Sequence, residues 1–306
     1  MRRPGPARAL PRVALATCRD LPAGDEDSAV LLAACASVGL DAEWRVWDDT
    51  AVDWSSYDLV VIRSTWDYVP RRDDFAAWAT SVPRLANPAE VVDWNTDKVY
   101  LRGLGAAGVP VVPTRWLEPG AGVPDDLFEG TAEIVVKPTI SAGGRDTGRY
   151  GTVDAARAAG HADQLLAAGR RVMVQPYLSG IDEVGETAVM HVGGAYSHTV
   201  GKGALLRPGD AGAVEGLWRP EEISPREPTD LERELAALAL AAVPGGADRL
   251  LYGRVDLLPG MDGEPVVIEV EVTEPSLFLT TVPAAADRLA AAIRAAIPGS
   301  RTRPGR

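Results

Sequence analysis

Three carboxylates and a guanidinium stand close together in the last quarter of the chain. Leu251 to Leu258 contains Arg254-Val255-Asp256, a turn rich in Pro, Gly and Asp follows, and Val266 to Val272 contains Glu269-Val270-Glu271. Side chains alternate across a strand, so Arg254 and Asp256 share one face, as do Glu269 and Glu271. Pairing the two strands brings three acids and one arginine onto a single surface. Like charges at that spacing repel unless a cation sits between them, so Asp256, Glu269 and Glu271 are candidate ligands for Mg²⁺. Taken alone, the hairpin reads more readily as an acidic outer face of an antiparallel pair. Two lysines change that balance. Lys98 lies in Trp94-Asn95-Thr96-Asp97-Lys98, early in an expected helix, and Lys137 ends the apolar strand Ile134-Val135-Val136-Lys137. An ammonium at the end of an inward-pointing strand needs an anionic partner.

Phosphate is such a partner. Ile140 to Gly148 holds Ser141, Gly143 and Gly144, small residues whose backbone N–H groups can approach phosphate oxygens. It is no Walker motif, and alone it is equally a plain turn. Gln175-Pro176-Tyr177-Leu178 follows an expected strand and suits a hinge whose proline and apolar residues clamp a purine. Asp182, Glu183 and Glu186 come next, placed to bond ribose hydroxyls. Candidate substrate contacts are Thr65, Trp66 and Asp67, which follow a strand, with His198 and Ser276. Asp67 suits an ammonium, while Lys202 suits a carboxylate or phosphate and joins Arg254 as a candidate catalytic cation. His198 is equally a structural strand histidine, and Trp66 and Tyr68 are equally packing residues.

The elements that position these groups follow from periodicity. Arg12 to Thr17, Ala42 to Val46 and Leu59 to Arg63 read as strands, with a helix from Asp25 to Gly39. That βαβ rhythm implies a small parallel sheet whose ligand side lies at its carboxyl ends. Further on, a helix is expected from Asn95 to Leu104, a strand from Thr131 to Pro138, and one glycine-rich loop from Ile140 to Thr152. A helix from Asp154 to Ala168 and a strand from Arg171 to Gln175 complete the middle. Strands at Glu186 to Val192, Ala195 to Val200, Leu250 to Leu258 and Val266 to Thr273 follow, with helices at Thr229 to Val243 and Ala284 to Ile297. Arg207 to Pro228 is a long Gly, Pro and acid-rich loop of the kind often used in function. Both termini read as frayed tails.

A length of 306 residues at 46% hydrophobic content suffices for two or three packed lobes. A net charge of -12 argues against a nucleic-acid surface, and no apolar run is long enough to cross a membrane. The two cysteines, Cys18 and Cys35, have neither metal nor redox spacing and suit buried thiols of a reducing cytoplasm.

In their order along the chain, Lys98, Lys137-Pro138, the glycine loop, Gln175 to Leu178, Arg254-Val255-Asp256 and Glu269-Val270-Glu271 resemble the ATP-grasp superfamily, in its glutathione-synthetase-like branch. The resemblance spans about residues 94–275. It implies a mixed α/β fold: an N-terminal βαβ domain (10–94), then a central lobe (95–175) and a C-terminal lobe with the metal site (176–298) that clamp ATP. It places Lys98 and Lys137 on phosphates, Gln175 to Leu178 on adenine, and Arg254, Asp256 and Glu269 around Mg²⁺ and the transferred phosphoryl group. The usual asparagine of the last motif is Glu271 here, which adds a negative charge. The implied reaction is ATP-dependent phosphorylation of a small, amino-acid-like carboxylate, followed by attack of a nitrogen nucleophile. Arg63 to Tyr68, Trp94-Asn95 and Ser197-His198 resemble a subgroup of bacterial secondary metabolism that includes closure of O-ureido-D-serine to D-cycloserine. A ligase of another secondary-metabolite pathway, an ATP-grasp kinase and a nucleotide-binding module without turnover remain open on sequence, as do monomer and homodimer.

Overall fold

The first strands are apolar runs because both their faces are covered. In the computed structural model, which describes residues 9–207, 209–210, 217 and 221–298, β1 (Arg12–Thr17) and β3 (Leu59–Ser64) form the middle of a four-stranded parallel sheet. β2 (Asp41–Val46) and β4 (Leu85–Ala86) flank them, in the order β2-β1-β3-β4. Val13 and Leu15 of β1 face α1 (Ser28–Ser37), and Ala14 and Ala16 face α2 (Arg72–Ser81), so alternate residues feed two cores. The carboxyl ends of β1 and β3 open toward one end of the sheet.

α3 (Ala89–Asn95) and α4 (Tyr100–Ala106) lead into the second sheet. One helix over Asn95 to Leu104 was expected, but the chain breaks between them. The Asp97 carboxylate accepts the Val99 amide, and the Lys98 amide donates to the Thr139 carbonyl, so neither amide continues a helix. Lys98 therefore lies in a turn and not in the first turn of a helix.

The second sheet contains β5 (Arg115–Leu117), β6 (Glu133–Pro138), β7 (Gly148–Gly151) and β8 (Val172–Pro176), in the order β5-β8-β6-β7. Its strand pairs are antiparallel, and α5 (Ala155–Ala167) packs on one face. β7 corrects the expected single loop from Ile140 to Thr152. The open edge of β6 takes up these residues as a ladder, and Arg149 of β7 pairs with Glu133 of β6 at 2.8 Å.

After the short α6 (Gly180–Val184) comes a five-stranded antiparallel sheet. It comprises β9 (Glu186–Val192), β10 (Ala195–Lys202), β11 (Ile223–Pro225), β12 (Tyr252–Pro259) and β13 (Pro265–Glu271), ordered β11-β10-β9-β12-β13. α7 (Asp230–Ala241) covers it and starts on a reciprocal capping box between Thr229 and Glu232. α8 (Ala284–Ala296) packs with α1 in a core that joins the first sheet to the third. The expected N-terminal tail, the C-terminal residues 299–306 and part of the Arg207 to Pro228 loop lie outside the described residues. Among the described residues no helix is long and apolar enough to cross a membrane.

Candidate active site

Four cations gather where the second and third sheets face each other. Lys98, Lys137, Lys202 and Arg254 are each less than a tenth exposed. Ammonium or guanidinium groups at such depth are costly unless paired. Three of them are paired. Lys98 Nζ lies 3.0 Å from Glu269 Oε1 and donates to the Ser141 carbonyl at 2.7 Å. Lys202 Nζ contacts Glu186 at 2.5 Å and Asp256 at 3.2 Å. Arg254 clasps Asp256 through Nε and Nη2 at 2.8 and 2.9 Å and also donates to Glu271. Burial would lower all three, but the facing carboxylates raise them above their ordinary values.

Lys137 differs. Among the described residues its ammonium has no hydrogen bond and no ion pair, although it lines the cavity. Burial pushes it down to about 8, with Lys98 adding to the effect and Glu269 opposing it. This arrangement is incomplete without an anion.

The acids are set by the hairpin register. β12 and β13 pair Arg254 with Glu271 and Asp256 with Glu269, so one face carries all four, as the alternation required. Two side chains from the connecting helices hold that strand in place. Asn95 Nδ2 donates to the Val270 carbonyl while its Oδ1 accepts the Val272 amide, at 2.7 and 2.9 Å. The Tyr100 hydroxyl donates to the Val270 carbonyl and accepts its amide, at 2.8 and 2.9 Å. With the backbone pinned on both sides of Glu271, its carboxylate has little freedom to turn away. Burial raises Glu271 to about 8 against the pull of Arg254, and raises Glu186 to about 8 against Lys202. Burial acts on Asp256 too, but Arg254 and Lys202 outweigh it and hold that carboxyl well below its ordinary value.

Of the three acids expected to hold a cation, Asp256 stands apart from Glu269 and Glu271. Asp256 has both oxygens engaged by Arg254 and Lys202, and among the described residues no three acid, histidine or cysteine side chains form a ready cation cage. Glu269 and Glu271 each engage one oxygen, and the second oxygen of each has no described partner. Both line the cavity. Mg²⁺ commonly takes one or two carboxylates and completes its shell with phosphate and water, so these residues fit it in company with a polyphosphate.

The cavity encloses about 780 Å³ and runs from the hinge to the carboxyl end of the first sheet. Val112, Val135, Pro176, Leu178, Leu258 and Ile268 make its apolar end. Tyr177 lines it as well, its ring stacked under the Arg149 guanidinium at 3.4 Å. Gln175 lines the same region and is fixed by a 2.9 Å bond to Thr114 Oγ1. Asp182 does not line the cavity: it accepts from the Tyr177 hydroxyl and faces Arg149. Glu186 does line it, but on Lys202. Ser141 and Gly143 form the opposite wall. Gly143 and Gly144 have φ of 61° and 72°, backbone conformations that bring amides toward a ligand and that L side chains rarely adopt.

The far end is bounded by a strap, Thr273 to Leu277, whose five successive carbonyls are each held by a side chain. Tyr252 Oη holds Thr273 at 2.8 Å, Trp66 Nε1 holds Glu274 at 2.9 Å, and Arg63 Nη2 holds Pro275 at 3.1 Å. Arg254 Nη1 holds Ser276 at 3.0 Å, and His198 Nε2 lies 2.8 Å from the Leu277 carbonyl. This corrects several expectations. His198 is a clamp and does not line the cavity, and neither do Thr65 and Asp67. Asp67 is turned to Trp47 Nε1 and Arg71, both at 2.8 Å, so the strand exit that carries it faces the second core of the first sheet. Trp66 and Ser276 do line the cavity. Two groups missed by sequence reasoning also line it. Glu274 receives the Tyr68 hydroxyl, and burial lifts its acid to about 7 against that bond and Lys98. Asp25, before α1, is raised by burial with Arg63 opposing.

Comparison with known proteins then decides the family. Residues 13–87 match the family described as D-cycloserine synthetase DcsG, N-terminal domain. The cycloserine biosynthesis protein DcsG of Streptomyces lavendulae is 42% identical over 268 residues, covering 84% of this chain and 89% of that one. The chain belongs to the DcsG family of ATP-grasp ligases. A crystal structure of D-cycloserine synthetase DcsG superposes with a TM-score of 0.82 at 39% identity, over 92% of this chain and 98% of the other. The RimK domain ATP-grasp protein of Sphaerobacter thermophilus shares the fold, with a TM-score of 0.64 at 20% identity, over 94% of this chain and 100% of its own. This DcsG-family chain is thus an ATP-dependent ligase, which sets aside the kinase and the inert nucleotide-binding module.

Proposed function

We propose that this enzyme closes O-ureido-D-serine to D-cycloserine by phosphorylating the substrate carboxylate and letting the oxygen-bound ureido nitrogen displace phosphate, after which water removes the carbamoyl group from that nitrogen as carbon dioxide and ammonia. The observation that supports nucleotide-driven activation most directly is Lys137, a buried ammonium for which the described protein supplies no anion. The DcsG likeness across 84% of the chain supports the choice of substrate. Val135, Pro176 and Leu178 would take adenine, and Lys98, Lys137 and the Ser141 to Gly144 amides would hold the phosphates. Mg²⁺ held by Glu269 and Glu271 would neutralise charge on the β- and γ-phosphates.

The residues themselves do the rest. Arg254, fixed on Asp256 and Glu271, faces the γ-phosphoryl group and then the oxyanion of the tetrahedral intermediate. Lys202 holds Asp256 and Glu186 in place and adds positive charge behind Arg254. Trp66 and Ser276 border the small substrate. The buried walls exclude water that would otherwise hydrolyse the acyl phosphate. We read the chain as three units, 10–94, 95–175 and 176–298. We place the enzyme in the cytoplasm, where the free, buried Cys18 and Cys35 stay reduced. A small carboxylate is its partner, and neither nucleic acid nor membrane is. The test is incubation with O-ureido-D-serine, ATP and Mg²⁺, following ADP and D-cycloserine by mass spectrometry. Equal amounts of both are expected. ADP release with some other acid and none with O-ureido-D-serine would refute the substrate assignment.

A further inference from the structure

The strap does more than close the cavity. Its carbonyls are all tied to side chains, and alternate residues, Glu274, Ser276 and Phe278, line the cavity while Thr273, Pro275 and Leu277 are buried. Five clamps from three different strands and one loop are more than a passive wall requires. They fix where the side chain of Glu274 starts.

We propose that Glu274 is the proton acceptor of the second half-reaction, taking the proton from the attacking nitrogen as the carbon–nitrogen bond forms. The proposal rests on the acyl-phosphate reading above. In the step itself, the nitrogen lone pair adds to the acyl carbon, and the tetrahedral intermediate expels inorganic phosphate with the carbon–oxygen electron pair. The proton leaving nitrogen goes to a Glu274 carboxylate oxygen. No further reactant is needed for this bond, and one water then removes the carbamoyl group carried on that nitrogen as carbon dioxide and ammonia.

The other cavity acids are committed elsewhere. Glu269 and Glu271 face Lys98 and Arg254, and Glu186 and Glu221 face Lys202. Asp27 accepts the Thr280 amide, Asp25 accepts the Asp27 amide, and Glu26 is exposed. Glu274 makes no ion pair among the described residues. The Tyr68 hydroxyl and its own backbone amide are neutral groups that stabilise its carboxylate against burial without an ion pair. Tyr68 is itself rigid, buried and stacked on Phe75 at 4.8 Å. Glu274 also lies within electrostatic reach of Lys98 and Glu269, at the reacting end of the cavity. Asp25 answers to Arg63 and Asp27 instead.

Hydroxylamine separates the two half-reactions, because it is neutral at about pH 7 and attacks acyl phosphates without a base. With ATP, Mg²⁺ and substrate, Glu274→Gln is expected to lower product formation by about 10²-fold or more. Its hydroxamate formation should stay within about threefold of wild type, as should KM for the carboxylate. Glu274→Asp should restore part of the lost rate. If hydroxamate falls in step with product, if both are unchanged, or if KM rises while kcat holds, Glu274 is not the base. A wild type that forms no hydroxamate would instead remove the acyl-phosphate reading and this proposal with it. Should Glu274→Gln melt more than about 5 °C below wild type, Tyr68→Phe decides, since it keeps the carboxylate and removes its hydrogen bond. Product formation should then fall by about tenfold with hydroxamate retained, and a parallel loss of both would overturn the proposal.

Discussion

Replacing Lys137 with methionine should make the ligand-free enzyme more stable and at the same time blind to nucleotide. The ammonium is buried without an anion, and burial brings it from 10.5 to about 8. At about 1.4 kcal/mol per pH unit, holding that group charged near neutral pH costs roughly 3 kcal/mol. The sign follows from proton counting. Between about 8 and 10.5 the unfolded chain binds more protons than the folded one, so stability rises with pH across that window, and the full penalty applies below it. Methionine has similar length, no charge and an adaptable thioether, so it removes the penalty while filling the space. Lys137→Met should therefore raise the melting midpoint of the ligand-free protein at neutral pH by roughly 5 °C, at about 2–4 °C per kcal/mol and with part of the gain offset by imperfect packing. Saturating ATP and Mg²⁺ should lift the wild type by RT ln(1 + [L]/Kd) and leave the variant nearly unmoved, because an unpaired phosphate costs affinity by about 10²-fold. Differential scanning fluorimetry with and without ATP and Mg²⁺ reads both effects. A variant that melts below wild type and keeps its ATP shift would refute the reasoning, since Lys137 would then have a protein partner.

Other expectations follow from the same contacts. ATP binding at about pH 9 should take up close to one proton, because phosphate restores the charge on Lys137; calorimetry in two buffers of different ionisation enthalpy measures this. Glu269→Gln should reduce ADP formation by about 10²-fold and raise the Mg²⁺ concentration needed for half-maximal rate, whereas a normal Mg²⁺ titration would displace Glu269 from the metal. Asp67→Asn should leave KM for the carboxylate within about twofold and cost about 1 kcal/mol of stability, as expected for a residue bound to Trp47 and Arg71. A tenfold rise in KM would return Asp67 to the substrate site.

The strands and the order of the charged groups were legible because they are written in local patterns. The register of β12 on β13 follows from alternation alone, so the shared face of Arg254, Asp256, Glu269 and Glu271 could be read before any coordinates. The Thr229 to Glu232 capping box fixed the start of α7 in the same local way. α2 was not among the expected helices: it is ten residues long and buries only Phe75, Trp78 and Ala79, a helical spacing too brief to stand out from the polar residues before it. β7 was not legible, since it exists only because β6 offers an open edge. The committed state of Asp256 was hidden for a related reason. Its partner Lys202 sits two strands away on β10, and no local pattern announces a salt bridge across the intervening β9. The strap shows the same limit at its sharpest. His198 was read as a substrate contact by residue type, but its bond runs to a carbonyl 79 positions along the chain. Glu274 was passed over because an acid before a proline looks like any turn residue until the clamps around it are seen.

The central claim is that the substrate carboxylate, not water or a hydroxyl, attacks ATP. Substrate labelled with ¹⁸O in its carboxylate tests that claim most directly. O-ureido-D-serine carrying the label should yield inorganic phosphate with one ¹⁸O atom for each ADP formed, because the carboxylate oxygen that attacks the γ-phosphorus leaves with it. ADP accompanied by unlabelled phosphate, or by a stable phosphoester and no free phosphate, would contradict it.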